Sequence, residues 1–505
     1  MGCVMKQTGK NSKTAIQINQ EPDRCSGCGA CRDICPVSAI KMEENEKGFL
    51  YPKVNVDMCV YCGKCKDTCP LNRTTSGTEP IFYAVRIKDI EKRMKSQSGG
   101  AFTILAENIL SEDGVVYGAA VSEKLKVQYL RVTDVQELEK LKGSKYVQAD
   151  LGNTYTEIEK DLKAGRTVLF SGTPCGVDGL LSYLDSKKID QNKLLTCDLI
   201  CHGVPSPLVY RKYLDYIRKT NGEPTTFVFR DKKNWGWRQQ AESYVIDGKL
   251  YSSQVYTSIF SSNLALRESC YKCRYATVIR RSDITIGDYW GVEKLLPEME
   301  KDDTGISLVM IRSEKAVNYL LKNEEQIEIW ESEKSKSFQW NLAFPTLKPR
   351  ETELFWNNEQ KQDIRFLIRN YVYSQMRKQL ESDRITVIHD GKEEVVQFLL
   401  NNEIRKVIIF GRVGKETETV WESIRDSEVQ VIGFVDIFEE YPEATKVFDL
   451  SIVSFEEAKS QILKGDAIAF LTDETNMVDI QRKLYRNKIP FKKMIPISFV
   501  LQGGI

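Results

Sequence analysis

Eight cysteines between Cys25 and Cys69 fall into two copies of one spacing. The first copy reads CSGCGACRDICP, with Cys25, Cys28, Cys31 and Cys35; the second reads CVYCGKCKDTCP, with Cys59, Cys62, Cys65 and Cys69. Both fit C-x2-C-x2-C-x3-C-P, a pattern that leaves the backbone little choice. Three thiolates two residues apart wrap one face of an iron–sulfur cube, provided small residues let the chain approach. Gly27, Gly29 and Ala30 do so in the first copy and Gly63 in the second. The fourth cysteine starts a short helix and points at the other cluster. The spacing therefore assigns Cys25, Cys28, Cys31 and Cys69 to one [4Fe-4S] cluster, and Cys59, Cys62, Cys65 and Cys35 to a second.

This is the run of two-cluster bacterial ferredoxins, and it implies one-electron transfer. The competing reading is a structural zinc site with four cysteine ligands. Two full copies, each closing on Cys-Pro, argue against it.

The rest of the composition narrows the class. A chain of 505 residues exceeds one hydrophobic core, so several domains are expected. Lys and Arg number 72 against 71 Asp and Glu, which leaves no basic field for nucleic acid or an anionic membrane. No run of apolar residues is long enough for a transmembrane segment. The start, MGCVMKQTGK, lacks a signal-peptide h-region, and Lys6 stands where a myristoylation site wants Ser or Thr. Fourteen cysteines without a signal read as thiols for metal or redox use in a cytoplasmic protein. Histidine is limited to His202 and His389, and Cys3 is read as incidental.

Beyond a flexible tail (1–20) and the ferredoxin-type domain (21–75), NRTTSGTEP reads as a linker. IFYAVRI reads as a strand. Ser96, Ser98, Gly99 and Gly100 then form a small-residue turn before a helix, Ala101–Leu110. Such a turn offers free N–H groups to a phosphate, although it equally serves as a plain helix cap. GSKYVQAD supplies Lys145, which could meet a phosphate or stay solvated.

Two strand–turn–helix units follow. TVLFSGTPCGVDGLLSYL carries Cys175, and KLLTCDLICHGVPSPLVYRKYLDYI carries Cys201. Alternating strands and helices predict a largely parallel sheet, with both cysteines beyond the carboxyl ends of its strands. ESCYKCRYA adds Cys270 and Cys273, and Arg280 and Arg281 precede DITIGDYWG. Paired arginines suit a phosphate or carboxylate, or simply solvent. Cys175, Cys201, Cys270 and Cys273 make four thiolates, the number a third [4Fe-4S] needs. Cys197, expected on the same strand face as Cys201, is the alternative ligand or a buried inert thiol. Cys175 itself can be filler, nucleophile or metal ligand.

Residues 351–383 read as a helical connector, and 384–505, beginning at ITVIHDG, as a Rossmann-like βαβ domain. Gly411 and Gly414 lie where a dinucleotide fingerprint would, and Asp436 ends the next strand. Val413 and Glu416 break the pattern, so the unit is either a nucleotide site or a docking scaffold.

The ordered motifs SQSGGAFT, GSKYVQ, SGTPCGVDGL, DLICHGVPSP and CYKCRYA…RRSDITIGDYWG, behind the two-cluster module, resemble the coenzyme F420 hydrogenase/dehydrogenase beta-subunit family. The resemblance covers roughly residues 20 to 350. It implies an iron–sulfur flavoprotein carrying FAD, with the chain divided into beta-subunit-like parts at 80–160 and 161–350. The expected fold class is α+β and α/β multidomain: a ferredoxin-like two-cluster module, a central α/β flavin domain and the C-terminal Rossmann-like domain.

By motif, Ser96, Ser98, Gly99 and Gly100 would hold the FAD diphosphate, and Lys145, Tyr146, Thr173 and Asp288 would lie near the flavin. Cys175, Cys201, Cys270 and Cys273 would hold the inner cluster, making Cys175 a ligand. Gly176 stands where members often have Gln. The expected chemistry runs from ferredoxin or a partner reductase, through the clusters and FAD, to a small-molecule substrate, either a deazaflavin coenzyme or a sugar-linked compound of surface-polysaccharide metabolism. His202, Asp288 or Tyr289 would supply a proton. The rival expectation is a non-catalytic electron-carrier or assembly subunit with clusters and no working flavin.

Overall fold

In this computed structural model the described residues are 18, 21–74, 77–359, 361–362, 364–367, 396, 399–400, 404–411, 415–436, 446–472, 480, 483–484, 487–489 and 493–496. Cys3 and the tail over 1–20 except Ile18, much of the expected connector, ITVIHDG with His389, Val413, Gly414 and the Glu416 side chain lie outside them. The chain forms two compact units, Met1–Gln360 and Lys361–Ile505.

The first unit opens with the cysteine repeats. Helices α1 (Ala30–Asp33) and α2 (Lys64–Thr68) each start after a left-handed glycine, Gly29 at φ 78° and Gly63 at φ 75°. A β-carbon is disfavoured there, which explains a glycine after the second cysteine of each copy. Strands β1 (Ile40–Glu44) and β2 (Leu50–Val54) pair antiparallel between the copies.

The body that follows is built on eight strands: β3 (Ile81–Ile87), β4 (Val115–Val121), β5 (Val127–Val132), β6 (Val168–Gly172), β7 (Leu194–Leu199), β11 (Ile284–Asp288), β12 (Ser307–Ile311) and β13 (Ile327–Ser332). A separate antiparallel sheet holds β8 (Thr226–Val228), β9 (Glu242–Ile246) and β10 (Lys249–Ser253). The large sheet has the order β13-β3-β12-β11-β7-β6-β4-β5. Its centre, β11-β7-β6-β4, is parallel. Its flanks are antiparallel. The largely parallel sheet expected from sequence is thus a mixed one. At the β5 edge the reason is local: the short link from β4 closes a hairpin and cannot make a crossover.

Each face of the sheet is covered, so its central strands are mostly apolar, although β7 and β11 also bury Thr196, Asp198 and Thr285. On one face, α4 (Ala101–Leu110) packs Ile104, Leu105 and Ile109 with Leu169, Leu195 and Ile284. On the other, α6 (Pro174–Lys187) packs Val177, Leu180 and Leu184 with Val168, Phe170 and Leu194. Ala30, Cys31, Ile34, Cys65 and Cys69 belong to that second core. The cysteine module is therefore built into the unit's core. Among the described residues no helix is long and apolar enough to cross a membrane.

Cys197 is fully buried in the first core, among the residues packed under α4. Strand β7 ends at Leu199, so alternation does not carry through to Cys201, and the two thiols do not share a strand face. The paired arginines are also committed within the fold. Arg280 donates to Asp198 at 3.1 Å and to the Leu199 carbonyl at 2.9 Å. Arg281 donates to Asp178 at 2.9 Å and Asp185 at 2.7 Å.

The second unit carries a parallel sheet in the order β15-β14-β18-β19. Its strands are β14 (Lys406–Gly411), β15 (Gln430–Asp436), β18 (Ile468–Leu471) and β19 (Met494–Pro496), with a small hairpin of β16 (Lys446–Val447) and β17 (Leu450–Ser451). Helices Lys415–Ile424 and Phe455–Lys464 complete this Rossmann-like layer, in which Gly411 and Asp436 end adjacent strands.

The Arg280–Asp198 pair is 2% exposed on both sides and ties the loop before β11 to β7. Arg280→Met leaves a buried carboxylate unpaired and is expected to cost about 3–5 kcal/mol, read as a lower urea midpoint. The double variant Arg280→Met/Asp198→Leu is expected to recover most of that loss.

Candidate functional site

A cavity of about 460 Å³ brings together cysteines far apart in sequence. Cys25, Cys28, Cys31 and Cys69 of the module line it, facing Cys175, Cys201, Cys270 and Cys273 of the body. Cys69 thus falls with the first three cysteines of the other copy. Cys59, Cys62 and Cys65 form a separate group, in which burial first, and then the charge of the other two, push the Cys65 thiol up. Backbone N–H groups reach several sulfurs: Ala39 donates to Cys35 at 3.3 Å, Tyr61 to Cys59 at 3.4 Å, and Val204 to Cys270 at 3.4 Å.

The body's four cysteines arrive by different routes. Thr173 caps α6, Pro174 takes its first position, and Cys175 follows. The Thr173 hydroxyl and the Cys175 sulfur are 3.3 Å apart. Cys201 lies in the loop after β7, and Cys270 and Cys273 lie on a 3-10 turn, Glu268–Lys272, and its cap. Burial, then the charge of the neighbouring cysteines, drives the Cys201 thiol well above its usual range. Burial pushes Cys270 up to about 12 and Cys273 up to about 11. Four buried thiols whose charges repel one another suit a centre that supplies positive charge, as iron does. Among the described residues no three His, Cys, Asp or Glu side chains converge closely enough to hold a single ion. A cube ligated at its corners spaces its thiolates more widely than one tetrahedral zinc does.

Two contacts hold the module's cysteines against the body. A β-carbon on Gly179, one helical turn after Cys175, would come within 2.8 Å of the Cys28 Cβ and 2.9 Å of its sulfur. Arg267 is fully buried; its guanidinium donates to the Cys25 carbonyl at 2.7 Å, Gln148 Oε1 at 2.9 Å and the Leu50 carbonyl at 3.0 Å. It also lies 4.1 Å from the Tyr51 ring centre.

A second cavity, of about 480 Å³, shares Cys28, Cys175, Cys201 and His202 with the first. Ser96, Ser98, Gly100, Lys145, Tyr146, Thr173 and Asp288 line it. Their polar atoms are largely taken. The Ser96 hydroxyl bonds Thr103 and the Lys92 carbonyl, and Ser98 donates to the Ile306 carbonyl at 2.7 Å. The Gly99 N–H donates to Ser307 Oγ at 3.0 Å. What the turn leaves facing the cavity is the uncapped start of α4, Ala101 to Thr103, after Gly100 in the left-handed region.

Lys145 donates to the carbonyls of Leu141, Lys142 and Gly143. Burial lowers its ammonium to about 7, while those three acceptors hold its proton. Asp288 is ion-paired with the buried Arg230 at 2.5 Å and accepts from Trp237 Nε1. His202 Nε2 lies 2.5 Å from Asn263 Oδ1. Tyr289 is fully buried and shares its hydroxyl with Ser332 and Ser337.

Apart from Tyr146, sequence reasoning missed the aromatic walls and their cation. Tyr146 stacks on Phe260 at 4.2 Å with 6° between the rings, and Trp237 stacks on Trp290 at 5.0 Å. The Arg230 guanidinium sits 5.3 Å from the Trp290 ring centre. The only signal was an arginine and two tryptophans in FRDKKNWGW, a stretch without clear periodicity.

Residues 24–72 match the family model described as a 4Fe-4S dicluster domain. Residues 82–154 match the N-terminal model of the coenzyme F420 hydrogenase/dehydrogenase beta subunit, and residues 165–337 match its C-terminal model. Among solved structures, a chain from the F420-reducing [NiFe] hydrogenase complex of Methanosarcina barkeri matches at 15% identity with a TM-score of 0.37, over 61% of this chain and 94% of that one. No curated protein matches.

Gly179→Val is expected to push the Cys28 loop off α6. Iron and acid-labile sulfide assays on folded protein should then show a loss of about four irons per chain, one [4Fe-4S] cluster.

Proposed function

We propose, from the premise that this chain belongs to the coenzyme F420 hydrogenase/dehydrogenase beta-subunit family of iron–sulfur oxidoreductases, that it relays electrons from a ferredoxin-type donor to an organic substrate through three [4Fe-4S] clusters and FAD. The observation that carries this reading is the shared wall: Cys175, Cys201 and His202 line both the cysteine cavity and the aromatic cavity. When bound, the clusters supply single-electron steps and FAD couples two of them to hydride transfer.

The chain's own residues have definable tasks in this scheme. Cys25, Cys28, Cys31 and Cys69 hold the middle cluster, and Cys59, Cys62, Cys65 and Cys35 the outer one. Cys175, Cys201, Cys270 and Cys273 hold the inner cluster. The free N–H groups at Ala101–Thr103 and the dipole of α4 receive the diphosphate. The fixed cation of Arg230 and the Tyr146–Phe260 pair orient the ring system and exclude water. Paired with Arg230, Asp288 is a positioning group. His202, hydrogen-bonded to Asn263, is then the side chain that holds the transferable proton.

The substrate is a deazaflavin coenzyme or a sugar-linked compound of surface-polysaccharide metabolism.

Iron, acid-labile sulfide and flavin per chain, measured after anaerobic purification, test the reading. About twelve irons with one FAD are expected; about eight irons and no flavin would make the protein an electron carrier. Gly176→Leu is the matching variant. A β-carbon at Gly176 meets only the Thr173 hydroxyl at 3.3 Å and the Tyr129 hydroxyl at 4.0 Å, so the longer side chain fills the cavity without striking backbone. Flavin retention is expected to fall at least tenfold with iron unchanged.

A further inference from the structure

The two halves of the cysteine module are repeats, and they use the same loop differently. In the first copy the loop Cys25–Cys28 is pressed on the body. A β-carbon on Gly27 would come within 2.9 Å of the Arg267 guanidinium, and the Ser26 carbonyl accepts from Gln148 Nε2 at 2.9 Å. Ala30 is fully buried. The equivalents of Ser26, Gly27 and Ala30 in the second copy are Val60, Tyr61 and Lys64, and all three are exposed. Val60 is 57% exposed and Tyr61 48%, with Met58 beside them at 48%.

Tyr61 also sits at φ 55°, the left-handed conformation that Gly27 takes at 71°. Glycine adopts it freely, whereas a residue with a β-carbon is strained there. The ring makes no stacking or hydrogen-bonding contact among the described residues. Lys64 and Lys66 beside it form no ion pair among the described residues, and Cys62 is itself exposed. One copy's loop therefore faces the body's cysteines, and the other's presents an apolar surface, flanked by free cations, to solvent.

We propose that Met58, Val60 and Tyr61, flanked by Lys64 and Lys66, form the docking face for a one-electron carrier protein whose own contact face is apolar at its centre and rimmed with carboxylates. This rests on the proposed function, in which Cys59, Cys62, Cys65 and Cys35 hold the outer cluster. The reduced carrier loses one electron and that cluster gains it; no bond or proton moves. The lysines steer the encounter, and the apolar patch holds the carrier beside the exposed Cys62.

The test is stopped-flow reduction of the oxidised full-length protein under anaerobic conditions. One reductant is a reduced acidic two-[4Fe-4S] ferredoxin; the other is dithionite, which needs no docking face. Val60→Glu and Tyr61→Gly are each expected to lower the second-order rate with ferredoxin at least tenfold. Lys64→Glu/Lys66→Glu is expected to abolish its decline with ionic strength. Iron content and the dithionite rate should stay at wild-type values throughout.

The proposal is overturned if Val60→Glu and Tyr61→Gly keep the wild-type ferredoxin rate, or if ferredoxin fails where dithionite succeeds. It is equally overturned if sedimentation shows a wild-type dimer that these variants convert to monomer, since the patch would then be covered by a second copy. Absence of flavin with normal cluster reduction would instead overturn the proposed function and leave the docking test intact.

Discussion

The guanidinium of Arg267 is fully buried at the seam between the cysteine module and the body, and the redox geometry depends on it. Its three hydrogen bonds reach the first copy's loop at Cys25, strand β2 at Leu50, and the body at Gln148. The Phe49 and Tyr51 rings lie at 5.4 and 4.1 Å from it. A buried cation needs compensation, and here carbonyl dipoles and aromatic faces supply part of it. The rest is of the sign that thiolates carry: the charge of Arg267 draws Cys175 and Cys270 down against the upward push of burial. One side chain thus fixes the module on the body and favours the ionised, iron-binding form of two of the body's four cysteines.

The sheet explains why the two cavities meet. Three central parallel strands, β6, β7 and β11, end side by side; Thr173–Cys175 follows the end of β6, Cys201–His202 lies just beyond the end of β7, and Asp288 is the last residue of β11. Strand ends in a parallel sheet all point one way, so chain segments a hundred residues apart arrive at one edge. The antiparallel flanks add the rest, because β12 brings Ser307 under the Ser96–Gly100 turn and pins its backbone. With the turn's hydroxyls used internally, binding capacity there resides in the N-terminal N–H groups of α4. The aromatic walls come from the loops beyond, where Arg230 joins Asp288 to the Trp237–Trp290 stack.

Much of this was legible in the sequence, for identifiable reasons. The cysteine spacing states which thiolates a cluster can reach, since it is set by covalent chain length around a rigid inorganic body. Strand β3 and helix α4 were readable because apolar periodicity and a preceding small-residue turn are local signals. The strand–turn–helix placement of Cys175 is local too. What failed were statements that extend local order too far. Cys197 and Cys201 were assigned one face by strand alternation, yet β7 stops between them. The sheet was expected to be largely parallel, because hydrophobic runs do not reveal strand direction.

The sequence alone thus determined the doubled cysteine spacing of the module, that of a 4Fe-4S dicluster domain, and the alternating strands and helices of the body. Both are properties of neighbours along the chain. Only the tertiary structure decided that Arg280 meets Asp198 inside the fold and that Arg230 neutralises Asp288. It also decided which copy of the cysteine loop is covered and which is open. These depend on partners tens to hundreds of residues away. The free energy of pairing a buried charge or packing a glycine against a sulfur is settled by what the fold brings within a few ångströms, and no spacing along the chain encodes that distance.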